Sequence, residues 1–288
     1  MNLAIVASAL FIVAIITYSI GYEVRAFRLR RVQIPVLPAG TKPIKILHFS
    51  DFHMTPHQRK KQAWIRSLAA LKPDCVIVTG DFLAHTEVVA DVLRSLEAFK
   101  EVPGFFVFGS NDYYAPKPKN PLMYLKKDDG ARYEGTELPW KDLKAGLESW
   151  GWKDLTHLKI ATSINKINFE FRGVDDAHLF RDDYTTIAGR VAKGYIGVGV
   201  SHAPYLRILE AMADDSVALT FAGHTHGGQV CVPLKGALVT NCDLDTARAK
   251  GLHLYNNMWL HISAGLGTNP YTPFRFACKP EATLARLV

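Results

Sequence analysis

The stretch Gly-His-Thr-His-Gly-Gly at 223–228 sets two imidazoles, His224 and His226, two residues apart and directly after the apolar run Val-Ala-Leu-Thr-Phe. Other polar groups follow apolar runs in the same way. Asp51 and His53 follow KILHFS, Asp81 follows CVIVTG, Asn111 and Asp112 follow GFFVFGS, and His202 follows GYIGVGVS. Carboxylate, amide and imidazole donors without a thiolate suit divalent Mn, Fe, Zn or Mg. A carboxylate can bridge two such ions, and ions about 3.5–4 Å apart form a clamp for in-line attack on phosphorus. On that chemistry His224 and His226 each hold a different ion. Taken singly, each element has an ordinary reading: an Asp after a strand often starts a helix, and a lone His is often structural. Independent structural roles do not explain all of them in this order.

The elements that must position these groups read as alternating strands and helices. KILHFSD, PDCVIVTGD and GFFVFGSND are apolar strand patterns ending in polar residues, separated by QAWIRSLAALK and TEVVADVLRSLEAFK, which carry apolar residues at helical spacing. That alternation implies a mostly parallel sheet whose strand C-termini face the ligand. GYIGVGVSHAP, SVALTFAGHTH and MWLHISAGLG add strands in the second half, with a strand and turn region around GGQVCVPLKG. With 288 residues, 48% of them hydrophobic, the chain is long enough for one substantial core and needs no second domain.

Several chemistries are excluded. Cys75, Cys231, Cys242 and Cys278 are scattered, so neither a thiolate zinc site nor a disulfide framework is indicated. No P-loop, dinucleotide glycine fingerprint or nucleophile elbow competes with the imidazole motif. The net charge of +7 favours anionic partners such as phosphoesters and acidic lipid surfaces.

With these motifs in order, the chain resembles the calcineurin-like metallophosphoesterases, and within them the membrane-associated bacterial branch whose metal motif ends in GHTHGGQ. The resemblance covers most of residues 44–288, including the tail HISAGLGTNPYTPFRFACKPEATL. It implies an α/β fold, a four-layer α/β/β/α sandwich. It also implies that Asp51, His53 and His226 hold one ion, Asp81 bridges, and Asn111, His202 and His224 hold the second, Mn being favoured. The expected reaction is hydrolysis of a phosphomonoester, phosphodiester or pyrophosphate by a metal-bridging hydroxide. One motif departs. The family writes G-N-H-[DE] where this chain has Gly109-Ser110-Asn111-Asp112. Residue by residue, Ser110 falls on the metal position and Asn111 on the histidine. A shift of one keeps Asn111 as ligand and puts Asp112 in the histidine's place. The shifted register is preferred because an amide oxygen ligates a hard ion better than a neutral hydroxyl. Asp112 and Asn111 are therefore the candidate catalytic residues, with His57 or His85 as other substitutes for the missing imidazole.

Residues 3–20 carry no charge, and their roughly 27 Å of helix nearly crosses a hydrocarbon core. Arg25, Arg28, Arg30 and Arg31 follow at once, which places the body of the protein on the cytoplasmic side of the cell membrane. The expected organisation is a single-pass transmembrane helix at 1–22, a basic juxtamembrane linker at 23–43 and the catalytic domain at 44–288. A substrate-side insertion is expected at 113–150, where Lys117, Lys119, Lys126, Lys127 and Arg132 would meet phosphate and Tyr113, Tyr114, Tyr124 and Tyr133 a lipid or sugar. Together with the anchor this favours a lipid-linked substrate. The alternatives are a nucleic-acid or nucleotide phosphodiesterase, disfavoured by the anchor and by the lack of interleaved aromatic and basic residues, and a metal-binding membrane scaffold without turnover.

Overall fold

The computed structural model describes residues 3–118 and 135–288, so Lys119, Tyr124, Lys126, Lys127, Arg132 and Tyr133 lie outside the described residues. The chain enters as helix α1, Leu3–Thr17, every turn of which is apolar and exposed. The strands, in chain order, are β1 (Arg28–Ile34), β2 (Ile44–Phe49), β3 (Cys75–Thr79), β4 (Gly104–Val107), β5 (Lys153–Asp154), β6 (Leu158–Ile164) and β7 (Ile167–Gly173). There follow β8 (Ile196–Val200), β9 (Leu219–Ala222), β10 (Cys231–Val232), β11 (Gly236–Ala237), β12 (Gly251–Tyr255), β13 (Met258–Ile262) and β14 (Glu281–Leu287). Helices α2 (Arg59–Ser67), α3 (Val89–Leu96), α4 (Ser110–Tyr113), α5 (Trp140–Glu148) and α6 (Leu206–Asp214) lie between them.

Two six-stranded sheets form, ordered β1-β14-β2-β3-β4-β5 and β12-β13-β9-β8-β7-β6. The strands β2 to β5 run parallel, as do β7, β8, β9 and β13. Strands covered on both faces read as continuous apolar runs, which is why β3 is CVIVT with every residue buried. The period of two sorts their side chains. Leu47, Phe49, Val76 and Val78 pack against α2, α3 and α5, while Ile46 and Ile77 face the second sheet. Phe105 of β4 stacks on Phe171 of β7 across that gap, with centroids 3.9 Å apart. Ile208, Leu209 and Met212 of α6 cover the outer face of the second sheet. Helix, sheet, sheet, helix is the four-layer sandwich that the resemblance implied.

Two expected boundaries move. Residues 28–34, expected in a linker, form β1, an edge strand paired in parallel with β14. Two of its three arginines are paired within the fold: Arg28 and Arg30 meet the buried carboxylate of Glu281 at 2.6 and 3.0 Å, while Arg31 is exposed. The helix likewise runs past residue 22, continuing over Leu3–Arg25, about 35 Å long, with the charged Glu23 and Arg25 in its last turn. Of the expected insertion, residues 140–148 are α5, whose Leu143 and Leu147 are core residues. Tyr113 is buried with its hydroxyl donating to Asp175 at 2.7 Å, so it packs the fold instead of meeting a lipid.

Candidate metal centre

The strand ends converge. Asp51 and His53 follow β2, Asp81 follows β3, Asn111 lies in α4 just after β4, His202 follows β8, and His224 and His226 follow β9. Short backbone ladders beyond the sheet hold these loops together: Asp51 N donates to Gly80 O, His53 N to Asp81 O and Met54 N to Phe82 O. From the other side, Leu266 N and Gly267 N donate to Asp51 O.

Asp51, His53, Asp81 and His226 bring one ligand atom each to within 4.8 Å of one another. Nε2 of His53 lies 3.0 Å from Nε2 of His226 and 3.3 Å from Asp81 Oδ2. Nε2 of His226 is 3.6 Å from Asp51 Oδ1. His202 Nε2 is 3.5 Å from the same Asp81 oxygen as His53, and His224 Nδ1 faces that nitrogen at 3.3 Å. Asn111 reaches the same carboxylate twice, through its backbone N and its Nδ2, each at 2.8 Å. Asp81 is thus close to His53, His202 and Asn111 at once.

The tautomers are set by carbonyls behind the rings. His202 Nδ1 lies 2.7 Å from Thr79 O, His226 Nδ1 3.1 Å from Gly267 O, and His224 Nε2 3.1 Å from Asn241 O. Each of these nitrogens carries the proton, which turns the opposite lone pair toward the carboxylates. Facing lone pairs repel unless a cation or a proton lies between them. The donor set therefore fits divalent ions, with hard oxygens and neutral imidazoles and no thiolate.

The electrostatics divide the cluster, keeping His53 and His226 neutral and His202 protonated. Burial pushes the Asp51 carboxyl up to about 7. Burial pulls the other way at His202, but Asp81, Asp176 and Asp51 around it raise its imidazole to about 9. His53, buried and only partly offset by Asp81, falls to about 4. His226 is also driven well down by burial and by the neighbouring His53.

The backbone is bent to this purpose. Asp51, His53, Asp81, His224 and His226 all have φ between 40° and 67°, the left-handed region that costs a non-glycine residue roughly 1–3 kcal/mol. Gly223 is required by packing: a Cβ there would overlap the Ser50 hydroxyl and stand 2.6 Å from Asp51 Oδ2.

The structure gives Asp112 a different task from the one expected. It is fully buried, and its two oxygens accept from the N–H groups of Asp81, Phe82, Leu83 and Gly109 at 2.7–3.0 Å. Both oxygens are thereby committed to holding the Asp81 loop. His57 is exposed and His85 accepts from Glu87 N, and neither bonds to the ligand cluster. Asp176 and His178 were missed. Asp176 is fully buried and near enough to Asp81 for that charge to raise its carboxyl, after burial itself, to about 7. The ring of His178 lies 4.5 Å from that of His224. The signal was weaker there, since NFEFRGVDDAH alternates apolar with polar residues, as a strand does, before it closes in acids and an imidazole.

A four-layer sandwich with a cluster of aspartates and histidines at its strand ends has the frame of a metallophosphoesterase. Residues 44–228 match the family described as calcineurin-like phosphoesterase, and the chain belongs to that family. Among its relatives, the uncharacterized metallophosphoesterase YkuE of Bacillus subtilis is 24% identical over 266 residues, covering 89% of this chain and 83% of that protein. Phosphodiesterase YaeI of Escherichia coli is 26% identical over 274 residues, covering 91% and 88%. A transmembrane protein with metallophosphoesterase domain from Bos taurus is 25% identical over 214 residues, covering 69% of this chain and 44% of that one.

Proposed function

We propose that the chain hydrolyses a phosphoester at a membrane surface with two divalent ions, Asp51, His53 and His226 holding one, Asn111, His202 and His224 the other, and Asp81 both. The observation that carries this reading is the pair of imidazole nitrogens of His53 and His226, 3.0 Å apart, between the carboxylates of Asp51 and Asp81. When bound, the ions supply a nucleophile from water at neutral pH and offset charge on the phosphoryl oxygens. The residues do the rest. Thr79 O, Gly267 O and Asn241 O keep the ring protons on the far side of His202, His226 and His224. Turning the Asn111 amide would offer its oxygen in place of the Nδ2 that now meets Asp81. Asp112 keeps that loop in place through its four backbone bonds.

Manganese is the favoured metal. The name of the YaeI relative favours a phosphodiester, and the apolar helix favours a lipid-linked substrate over nucleic acid. The test is Mn-dependent hydrolysis of a panel running from aryl phosphate and phosphodiester to lipid pyrophosphates and nucleic acid, by the full chain and its Asp81→Ala variant. Activity that falls by at least about 100-fold in the variant is expected. Metal retention by the full chain without turnover of any ester would make it a scaffold instead. Preferred cleavage of nucleic acid would move the substrate class.

A further inference from the structure

Among the described residues, four of the eight exposed large apolar side chains outside the anchor belong to two segments that are tied to each other and to its C-terminal end. Val232, Leu234 and Leu238 of the β10–β11 hairpin and Tyr271 of the following loop are exposed, Leu234 completely. The hairpin is only two residue pairs long, Cys231 with Ala237 and Val232 with Gly236, and Val232–Lys235 is exposed throughout. So short a hairpin has no core of its own in which to bury these side chains.

Its root is fastened to the membrane helix. Cys231 N donates to Phe276 O at 2.8 Å, and Phe276 N to Gln229 O at 3.1 Å. The Phe276 ring meets that of Tyr18 edge-on, with centroids 6.4 Å apart. Beside it, Arg275 N donates to Ser19 O at 3.3 Å, and Glu23 accepts from Ala277 N and Cys278 N at 3.1 and 2.6 Å. Tyr18, Ser19 and Glu23 all lie in the C-terminal part of the continuous helix Leu3–Arg25, whose apolar run reaches residue 20.

We propose that the β10–β11 hairpin and the loop at 269–276 form a second membrane contact, with Leu234 at its tip and Val232, Leu238 and Tyr271 around it seated among the lipids that surround the anchor. The occupant is the bilayer because the patch is continuous with a helix built for lipid. Apolar side chains exposed together are otherwise a liability, and at an interface they are favourable, with Lys235 placed for anionic headgroups. The consequence reaches the substrate. Gln229, where the hairpin is tied to Phe276, is three residues after His226, so the ligand cluster is held close to headgroup level. The substrate class is then a phosphoester carried by a membrane lipid. The proposal rests on the anchor of the reading above and not on its chemistry.

The test uses the full chain in nanodiscs of phosphatidylcholine and phosphatidylglycerol containing nitroxide-labelled acyl chains. The four native cysteines are buried, so a fluorophore goes to an introduced cysteine, in Leu234→Cys, in Phe11→Cys within the anchor, or in Leu254→Cys as an exposed site on β12. Expected is strong quenching at 11, clear quenching at 234 and at least about threefold less at 254. Quenching at 11 with 234 no more quenched than 254 overturns the second contact alone. No quenching at 11 overturns the anchor reading itself. Unchanged melting of each labelled variant keeps misfolding out of the comparison.

Discussion

Asn111 and Asp112 are adjacent in the chain, yet one turns to the bridging carboxylate and the other turns under the loop that carries it. Their variants should therefore fail differently. Asp112→Ala strands the N–H groups of Asp81, Phe82, Leu83 and Gly109 in a buried site, at about 1–3 kcal/mol for each group left unsatisfied. The expected outcome is a loss of at least about 3 kcal/mol on urea unfolding. Asn111→Ala should change stability by less than about 1 kcal/mol while lowering metal occupancy, read by elemental analysis after desalting. His202 yields a second prediction. Its raised pKa means that the metal-free imidazole keeps its proton up to about pH 9, whereas ligation needs the lone pair. Between about pH 7 and 9 metal uptake must then expel about one proton, from this ring, and affinity should rise by up to about tenfold per pH unit before levelling off near pH 9; below about pH 7 the Asp51 carboxyl adds a second proton. Calorimetry in buffers of different ionisation enthalpy counts these protons, and a pH-independent affinity would reassign His202.

At the scale of elements, the site is a set of short loops at the C-terminal ends of β2, β3, β4, β8 and β9, and their positions were legible because an apolar strand closed by a polar residue leaves a plain trace. What local sequence did not disclose depends on partners far along the chain. RLRRVQI reads as a basic linker until Glu281, some 250 residues away, gives Arg28 and Arg30 a buried carboxylate and lets β1 join the sheet. Asp112 looked like a replacement acid because nothing adjacent in sequence reveals the three donors that follow β3. Loop packing also sets tolerances. In Gly223→Ala the new methyl would overlap the Ser50 hydroxyl and crowd Asp51, whose carboxylate the His224 N–H also holds. A cost of about 1–3 kcal/mol and a matching fall in retained metal are expected from melting curves and metal analysis of the same sample. An unperturbed metal content would mean that the loop yields without moving Asp51.

For the whole molecule, the four layers followed from the resemblance that the motifs carry, and the long apolar helix from the lack of charge over residues 3–20, but the way the two are joined did not. The join is direct: Glu23, at the end of the span, is buried and accepts the N–H groups of Ala277 and Cys278. The same segment supports the metal loop, since Cys278 Sγ lies 3.3 Å from His226 O and Arg275 donates to Gly267 O, the acceptor of His226 Nδ1. A change at the anchor should therefore be felt at the metals. Glu23→Ala leaves two backbone donors without their acceptor, at about 1–3 kcal/mol each if no water replaces it, whereas Glu23→Gln keeps one acceptor oxygen. Chelator-driven metal release from the full chain in nanodiscs should be faster in Glu23→Ala, by about tenfold for each 1.4 kcal/mol lost at the His226 loop, and intermediate in Glu23→Gln. Release at the native rate in both would mean that the anchor fixes where the catalytic body sits and leaves the strength of its metal grip to the sandwich alone.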